Sequence, residues 1–311
     1  MVESRQVHQP EGDGSNVVAL PLPPFRTTTL AEWGARLPVG FPDPSGGEPI
    51  RDLARRRWSL KTEKELGKLR AQNKQLNQAK FASMVLAALM ERIGSIVPSG
   101  HVPTEKRTNK SDWYRSLTEI GNLPMADALY AYIWLRREVL GKECRIQLPC
   151  QGCGQLTFLD ADLDTLEIKV CDRMEDAIWH YDLRFPFPVR GSEVTAFTLA
   201  PPRWNAVETM RGGGADQGGT KSQLIWSSVR KLHTADGKLD GQVPAEQELE
   251  ELDKFDIETI TGLVDARSPG PDLAIEMECP RDACGFKNRQ ALDWTYDGFF
   301  SISGRSNHST S

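Results

Sequence analysis

The sequence predicts an α+β fold made of two related helical units, each with a β-knuckle, joined through a shared zinc-ribbon-like four-cysteine site. Three observations support this prediction: apolar residues recur at helical spacing in several segments, other segments alternate as strands do, and two cysteine pairs lie in matching surroundings. The first pair is Cys150 and Cys153, and the second is Cys279 and Cys284.

Composition narrows the class of protein. The chain has 311 residues, 39% of them hydrophobic, so it can bury a substantial core. Its net charge of −5 argues against a protein that binds nucleic-acid backbones, which would need a basic surplus. The longest apolar run, Phe81–Met90, is about half of what a membrane-spanning helix requires, and residues 1–16 lack the apolar region of a secretory signal. We therefore expect a soluble protein that folds in a reducing compartment, without membrane or nucleic-acid partners.

Four regions follow from the distribution of turn formers and periodic segments. We predict an extended N-terminal arm (1–61), a helical unit with the first cysteine knuckle (62–165), a β segment (166–201) and a helical unit with the second knuckle (202–311). The arm is rich in glycine, proline and polar residues, most densely in residues 37–50.

Helices are predicted from capping residues and apolar periodicity. Thr62 and Glu65 have the spacing of a capping box, which predicts a helix that continues to Ile96. A second helix is predicted over Asp127–Leu140, with Asp127 as its N-cap. Short strands are expected over 144–170, 179–199 and 273–278, and further helices over 202–210, 222–232, 244–252 and 256–267.

The two cysteine pairs lie in an internal repeat. In the first half Asp127 opens a helix, Gly141 ends it, and Cys150 follows a strand. Three residues stand 129 positions further along and repeat this order: Asp256, Gly270 and Cys279. After the knuckles, Asp162-Leu163 corresponds to Asp293-Trp294, with two extra residues in the second knuckle. The pattern predicts two copies of one helix-and-knuckle unit.

The four paired cysteines are the candidate metal ligands. Each pair is followed by a glycine, and the separations of two and four residues lie within the range found in zinc sites. Neither pair has another cysteine or histidine nearby to complete a site alone, so we predict one shared structural Zn²⁺ bound by Cys150, Cys153, Cys279 and Cys284. Two alternatives are metal-free reduced pairs and a redox disulfide. The remaining cysteines, Cys144 and Cys171, are expected to be small buried hydrophobic residues.

Other patterns do not indicate catalysis. The glycine-rich segment 211–222 lacks the Walker geometry, because Thr220 separates Gly219 from Lys221. No grouping of serine, histidine, cysteine or carboxylates has catalytic spacing, and four thiolate ligands would leave a zinc ion no open position. We therefore predict a protein that is not an enzyme.

Several segments together resemble a known family. They are DALYAYIWLRREVLG, IQLPCQGCGQ, FPVRGSEVTAFTLAP and SPGPDLAIEMECPRDACGF with a closing DGFF. These segments are similar to the baseplate protein family of T-even-like contractile-tailed phages. Members of that family are structural or assembly components of the tail baseplate, so the resemblance implies a component without enzymatic activity.

The expected function follows from this resemblance. We expect a structural baseplate or hub subunit of a contractile phage tail or phage-tail-like injection system, with other baseplate, hub, spike or tube proteins as partners in a multi-subunit assembly. It would assemble in the cytoplasm and end in the virion or tail-like particle. The alternatives are a baseplate assembly factor that is not retained in the particle, and a zinc-ribbon nucleic-acid-binding protein, for which salt-dependent binding would be diagnostic.

Overall fold

The computed structural model describes residues 25–72, 77–103, 110–209, 217–279, 281 and 283–291, with only the backbone at 145–148, 157–160, 217–220, 275–277 and 288–291. The helices are α1 (Leu30–Trp33), α2 (Leu60–Gln72), α3 (Gln78–Leu89), α4 (Lys110–Gly121), α5 (Met125–Leu140), α6 (Trp204–Thr209), α7 (Gln217–Ser228) and α8 (Lys254–Arg267). The strands are β1 (Arg26–Thr29), β2 (Arg36–Phe41), β3 (Ile50–Arg55), β4 (Met90–Ile93), β5 (Glu143–Pro149), β6 (Leu156–Asp162), β7 (Glu167–Val170), β8 (Trp179–Val189), β9 (Ser192–Leu199), β10 (Val229–Thr234), β11 (Gly270–Pro271), β12 (Ala274–Glu278) and β13 (Lys287–Ala291). None of the helices in these ranges combines the length and apolarity needed to cross a membrane.

The described strands form small antiparallel sheets. Three of these sheets have three strands each, and two of the three have the orders β2-β3-β4 and β8-β9-β10. A third sheet, β1-β7-β11, joins segments that are far apart in the chain. The two remaining sheets are hairpins, β5-β6 and β12-β13, and each carries one cysteine pair at its turn.

The same succession of elements occurs twice. In both halves two antiparallel strands are followed by helices, and the last of these helices runs directly into the third strand: α3 into β4 and α7 into β10. A further helix, α5 or α8, then leads to the cysteine hairpin. The structure therefore extends the repeat predicted from Asp127 and Asp256 to include a three-stranded sheet in each half.

Each copy of the repeat has its own large apolar core. The first core contains most of α3 and α5, together with Leu30, Leu37 and Leu53. The second core is formed by alternate residues of β8 and β9 packed against α7 and α8. Because α3 is buried on all sides, its apolar run FASMVLAALM has no exposed stripe to reveal its orientation.

Helix α6 of the second copy packs into the first core. Trp204 is 1% exposed there, and its indole Nε1 donates a hydrogen bond of 2.8 Å to Ser83 Oγ. Ser83 in turn donates to Glu208, whose carboxylate also pairs with Lys80 Nζ at 3.1 Å. The two copies therefore share a buried contact far from their cysteine hairpins.

The predicted N-terminal arm differs from what the structure shows. Residues 1–24 lie outside the described residues, but from Arg26 onward the chain forms β1, α1, β2 and β3. Leu30 and Leu37 are fully buried in the first core. Of the turn formers in residues 37–50, those at 42–49 connect β2 to β3. Gly40 lies within β2 and, with a φ of +84°, occupies a backbone conformation that other residues rarely adopt.

The first long helix is also different from the prediction. It is divided into α2 and α3, and it ends at Leu89 because Met90–Ile93 pairs with β3 as strand β4. The capping box predicted at Thr62 is wrong: α2 begins at Leu60, and Ser59 Oγ accepts the backbone N–H of Thr62. Asn77 caps α3 by accepting the N–H of Ala79 at 2.7 Å.

Asp127 is not an N-cap, because α5 begins two residues earlier, after Pro124. Its carboxylate points away from its own helix and accepts the backbone N–H groups of Val39 and Gly40 in β2, at 2.8 and 2.9 Å. Gly270 does not end its helix either: α8 ends at Arg267, and Gly270 lies in β11.

The later predicted elements are present with changed ends. Helix α7 ends at Ser228, where β10 begins, and the helix expected over 244–252 is only a 3₁₀ turn, Glu246–Leu249. Strand β12 agrees closely with the predicted strand over 273–278. The predicted Asp293-Trp294 pair, the closing Phe299-Phe300 and residues 211–216 of the glycine-rich segment lie outside the described residues.

Candidate metal centre

The two cysteine hairpins meet at their turns. Cys150 follows β5 directly and Cys279 follows β12, while Cys153 and Cys284 lie across each turn. Seven residue pairs hold the first hairpin in register and five hold the second. The strands therefore bring the chain back on itself beside each pair of thiols.

Both turns are closed by the same backbone hydrogen bond. Cys150 N–H donates to the carbonyl of Gln155 at 2.9 Å, and Cys279 N–H donates to that of Phe286 at 2.9 Å. In each case the acceptor is the residue after the turn's glycine, Gly154 or Gly285. These glycines have φ values of +71° and +52°, a region that favours glycine because it carries no Cβ. The two extra residues of the second knuckle are therefore accommodated without changing how its turn closes.

The four thiols form one cluster. Their sulfur atoms all lie within 4.8 Å of one another, so they could hold one metal ion. Across the two hairpins, Cys150 Sγ lies 3.8 Å from Cys284 Sγ, and Cys153 Sγ lies 3.9 Å from Cys279 Sγ. Both distances are far longer than a disulfide bond of about 2.05 Å, so the cluster consists of four separate thiols.

An aromatic side chain packs against the turn of the first hairpin. A Cβ added to Gly152 would lie 2.7 Å from Phe286 Cβ and 2.8 Å from Phe286 Cγ, so Phe286 packs directly on the backbone of the first knuckle. Cys150 and Cys279 are 1% and 4% exposed, whereas Cys153 is exposed. The cluster therefore has a buried side, made by the first cysteine of each pair, and an open side.

Desolvation and neighbouring thiols disfavour ionisation of Cys279 and Cys284 in the absence of a cation. A backbone hydrogen bond from Phe286 lowers the pKa of Cys284, but desolvation and the three neighbouring thiols outweigh it and raise that pKa to about 11. At Cys279 a backbone hydrogen bond from Arg281 and the Cys284 thiol lower the pKa, but desolvation and the thiols of Cys150 and Cys153 raise it overall. Thiolates are the metal-binding form, so a divalent cation would provide the charge that stabilises them here.

The structure brings together all four cysteines that the sequence singled out, and it separates the other two. Cys144 is buried in the first core, and Cys171 is fully buried beside β2. Burial raises the pKa of Cys171 to about 12, as expected of an inert core thiol. The contact between Gly152 and Phe286 was not predicted, because it joins residues more than 130 positions apart and neither carries a metal-binding group.

The chain is thus a mixed helix-and-strand protein with two similar sheet-and-helix copies and a four-cysteine cluster where their hairpins meet. Residues 104–299 match the model of the family described as T4 bacteriophage base plate protein. This range is more than half of the chain, and the protein belongs to that family of phage baseplate proteins. No curated protein and no solved structure matches the chain.

Proposed function

We propose that this baseplate protein is a structural subunit, in the baseplate or hub of a contractile tail or phage-tail-like injection device, and that its four clustered cysteines bind one structural Zn²⁺. The observation that carries the proposal is the range of the family match, 104–299, which includes both cysteine hairpins. The cluster is therefore part of the region that this chain shares with baseplate proteins.

Zinc is the metal that best fits the donor set. Four thiolates at about 2.3 Å from one ion form a tetrahedron whose sulfur–sulfur edges are about 3.8 Å. The two distances across the hairpins, 3.8 and 3.9 Å, agree with that geometry. Four protein ligands leave no position for water or substrate, so the ion would hold the hairpins together and would not catalyse a reaction.

The proposed ion would act as a crosslink between distant segments. Cys153 and Cys279 are 126 residues apart, and each hairpin alone is a two-stranded sheet that is marginal in water. Metal binding supplies folding free energy directly when the site does not exist in the unfolded chain. The open side of the cluster is consistent with this role, because a structural ion needs complete ligation and not complete burial.

Metal analysis tests the site. Protein purified in reducing buffer should contain about one zinc ion per chain, and Cys284→Ser or Cys150→Ser should lose it. Cys171→Ala is the matched control, since it removes a cysteine outside the cluster and should retain the ion. Four freely titrating thiols and no metal in the folded protein would rule the zinc site out.

Retention in the particle tests the structural role. Tail particles purified from cells that express the complete gene set should contain this chain at a fixed ratio to sheath and tube proteins, measured by quantitative mass spectrometry. If the chain is needed for assembly but is absent from finished particles, it is an assembly factor. Salt-dependent binding of the purified protein to DNA or RNA would instead support a nucleic-acid role, which the net charge of −5 disfavours.

A further inference from the structure

The internal repeat defines two equivalent corners, each formed where the first strand of a three-stranded sheet meets the start of a later helix. In the first corner, the backbone N–H groups of Val39 and Gly40 donate to Asp127, and Ala126 precedes that aspartate in α5. In the second corner, the N–H groups of Arg184 and Phe185 donate to Asp256 at 3.0 and 3.2 Å, and Phe255 precedes it in α8. Val39 and Gly40 of the first corner therefore correspond to Arg184 and Phe185 of the second, because they donate equivalent hydrogen bonds.

The first corner is covered by other parts of the same chain. Val39 and Ala126 are 3% and 5% exposed, in a small apolar cluster with Phe25, Met174 and Ala177. The cover includes the segment after β7, whose Cys171 N–H donates to the carbonyl of Pro38 in β2 at 3.2 Å. The guanidinium group of Arg51 holds this segment through the carbonyls of Cys171 and Asp172. The cover is thus a short chain segment that bends into the 3₁₀ turn Met174–Ala177 and supplies apolar side chains and carbonyl oxygens.

The second corner presents an open surface in the described structure. Phe185 is 47% exposed and Phe255 is 37% exposed, and Arg184 and Pro186 beside them are exposed as well. The Arg184 guanidinium lies 4.5 Å from the ring centroid of Phe255 and 5.5 Å from that of Phe185. Within the described part of the chain, Arg184 forms no salt bridge.

The backbone at this corner is already fixed. Strand β8 leaves its register with β9 between Asp182 and Phe187, and Asp256 accepts the N–H groups that the break leaves unpaired. Tyr181 adds a hydrogen bond of 2.6 Å from its hydroxyl to the same carboxylate. Two aromatic rings held on a rigid backbone lose little entropy on binding, and aromatic and arginine side chains dominate the binding energy of protein interfaces.

We propose that the second corner, formed by Arg184, Phe185 and Phe255, docks a short segment of a neighbouring baseplate subunit that carries apolar side chains and a carboxylate. The apolar character follows from what covers the first corner. The carboxylate follows from charge complementarity, because an anion compensates most strongly for the water that the Arg184 guanidinium loses on burial. This inference rests on the proposed role in baseplate assembly, whether or not the chain is retained in the particle.

Site-specific photo-crosslinking tests the docking surface. The full-length chain with Phe185→p-benzoylphenylalanine is expressed with the complete tail gene set, and crosslinks are mapped by mass spectrometry during assembly. Tyr114→p-benzoylphenylalanine is the control, since Tyr114 is also an exposed aromatic residue, at 60%, on a different element. We expect about tenfold more crosslinking at position 185, to one segment of another baseplate subunit with Asp or Glu nearby.

A charge reversal gives the second readout. Arg184→Glu should lower the yield of the mapped crosslink at least about tenfold, whereas Arg92→Glu, an exposed arginine on β4, should leave it unchanged. Crosslinking at 185 that does not exceed the Tyr114 control, or that goes only to this same chain, would overturn the proposal. These outcomes differ from failure of the structural role, since an assembly factor would crosslink during assembly and yet be absent from finished particles.

Discussion

Asp127 and Asp256 occupy the same place in two different helices and make the same connection to two different sheets. Each is the third residue of its helix, each is fully buried, and each accepts two consecutive backbone N–H groups from the first strand of its own copy. An aspartate near a helix start normally serves its own helix. Here the carboxylates satisfy strand donors that would otherwise be buried without partners.

Replacing either aspartate by asparagine should destabilise the protein. Asp127→Asn or Asp256→Asn places an amide N–H₂ where an oxygen faced a donor, which leaves a buried N–H unsatisfied at a cost of about 1–3 kcal/mol. Urea unfolding of the zinc-loaded protein measures this change. Glu63→Gln, an exposed acid in the first turn of α2, should change stability by less than about 0.5 kcal/mol. Equal effects of all three substitutions would contradict the connecting role.

Stability should also depend on pH through Asp127. Desolvation raises the pKa of Asp127 to about 7, although the hydrogen bonds from Val39 and Gly40 and the positive charge of Arg51 act to lower it. Because the folded pKa lies above the unfolded one, this group's contribution is complete below about pH 4 and is lost as the pH rises to about 7.

The comparison that isolates this effect is between the wild-type protein and Asp127→Asn, both saturated with zinc. Between pH 5 and pH 7 the wild type should lose roughly 2 kcal/mol more than the variant. Trp204→Phe serves as the control, since it destabilises the protein without removing a titratable group and should retain the wild-type pH dependence. Parallel pH profiles for wild type and Asp127→Asn would refute the assignment.

Gly152→Ala should weaken the metal centre. The added Cβ would meet Phe286 at 2.7 Å, so the hairpins must separate or Phe286 must move, at a cost of about 1–3 kcal/mol. The measurement is zinc affinity by competition with a chelator. Gly67→Ala is the matched control, because its Cβ would point into open space within helix α2. Phe286→Gly in the Gly152→Ala background removes the Phe286 Cβ as well as the ring, and it should recover affinity if the contact is the cause.

Trp204 should connect the stabilities of the two copies. Trp204→Phe keeps most of the buried ring and loses the hydrogen bond to Ser83, at about 1 kcal/mol, whereas Trp204→Ala should cost about 3–5 kcal/mol. Thermal unfolding followed by calorimetry should show one transition in the wild type and a separated second transition in Trp204→Ala. A single unchanged transition in both variants would show that α6 does not link the cores.

The clustering of the four cysteines could be predicted because their sequence pattern is local and specific. Cys150, Cys153, Cys279 and Cys284 stand in two short patterns with a following glycine, and no other partners lie near them in the sequence. The repeat was visible for the same reason, since Asp127 and Asp256 stand at equal distances before the cysteines. Both aspartates were interpreted from the local sequence as helix starts. In the structure Asp127 instead contacts a strand 88 residues earlier in the chain, which the local sequence does not reveal.

The sheets were harder to predict because their pairing is not local. Strands β2 and β3 lie in a segment whose glycines and prolines suggested an arm, and their partner β4 follows α3 without a turn signal. The apolar run in α3 could not mark its own end, since burial on all sides removes the periodicity. Helix α3 begins after Asn77, which caps it. The sequence did not reveal this start, because the pattern of apolar residues around Asn77 suggested one longer helix.

The wide separation of the two hairpins also sets an order of events during synthesis. Cys153 is translated 126 residues before Cys279, a delay of roughly 6–25 s at about 5–20 residues per second. During that interval the first hairpin can offer a metal ion only two ligands, so the early thiols remain exposed to oxidation and to competing metals. The last segments of the chain would thus complete the proposed metal site. Truncated chains that lack Cys279 and Cys284 would then be unable to retain the ion, which would distinguish them from complete chains.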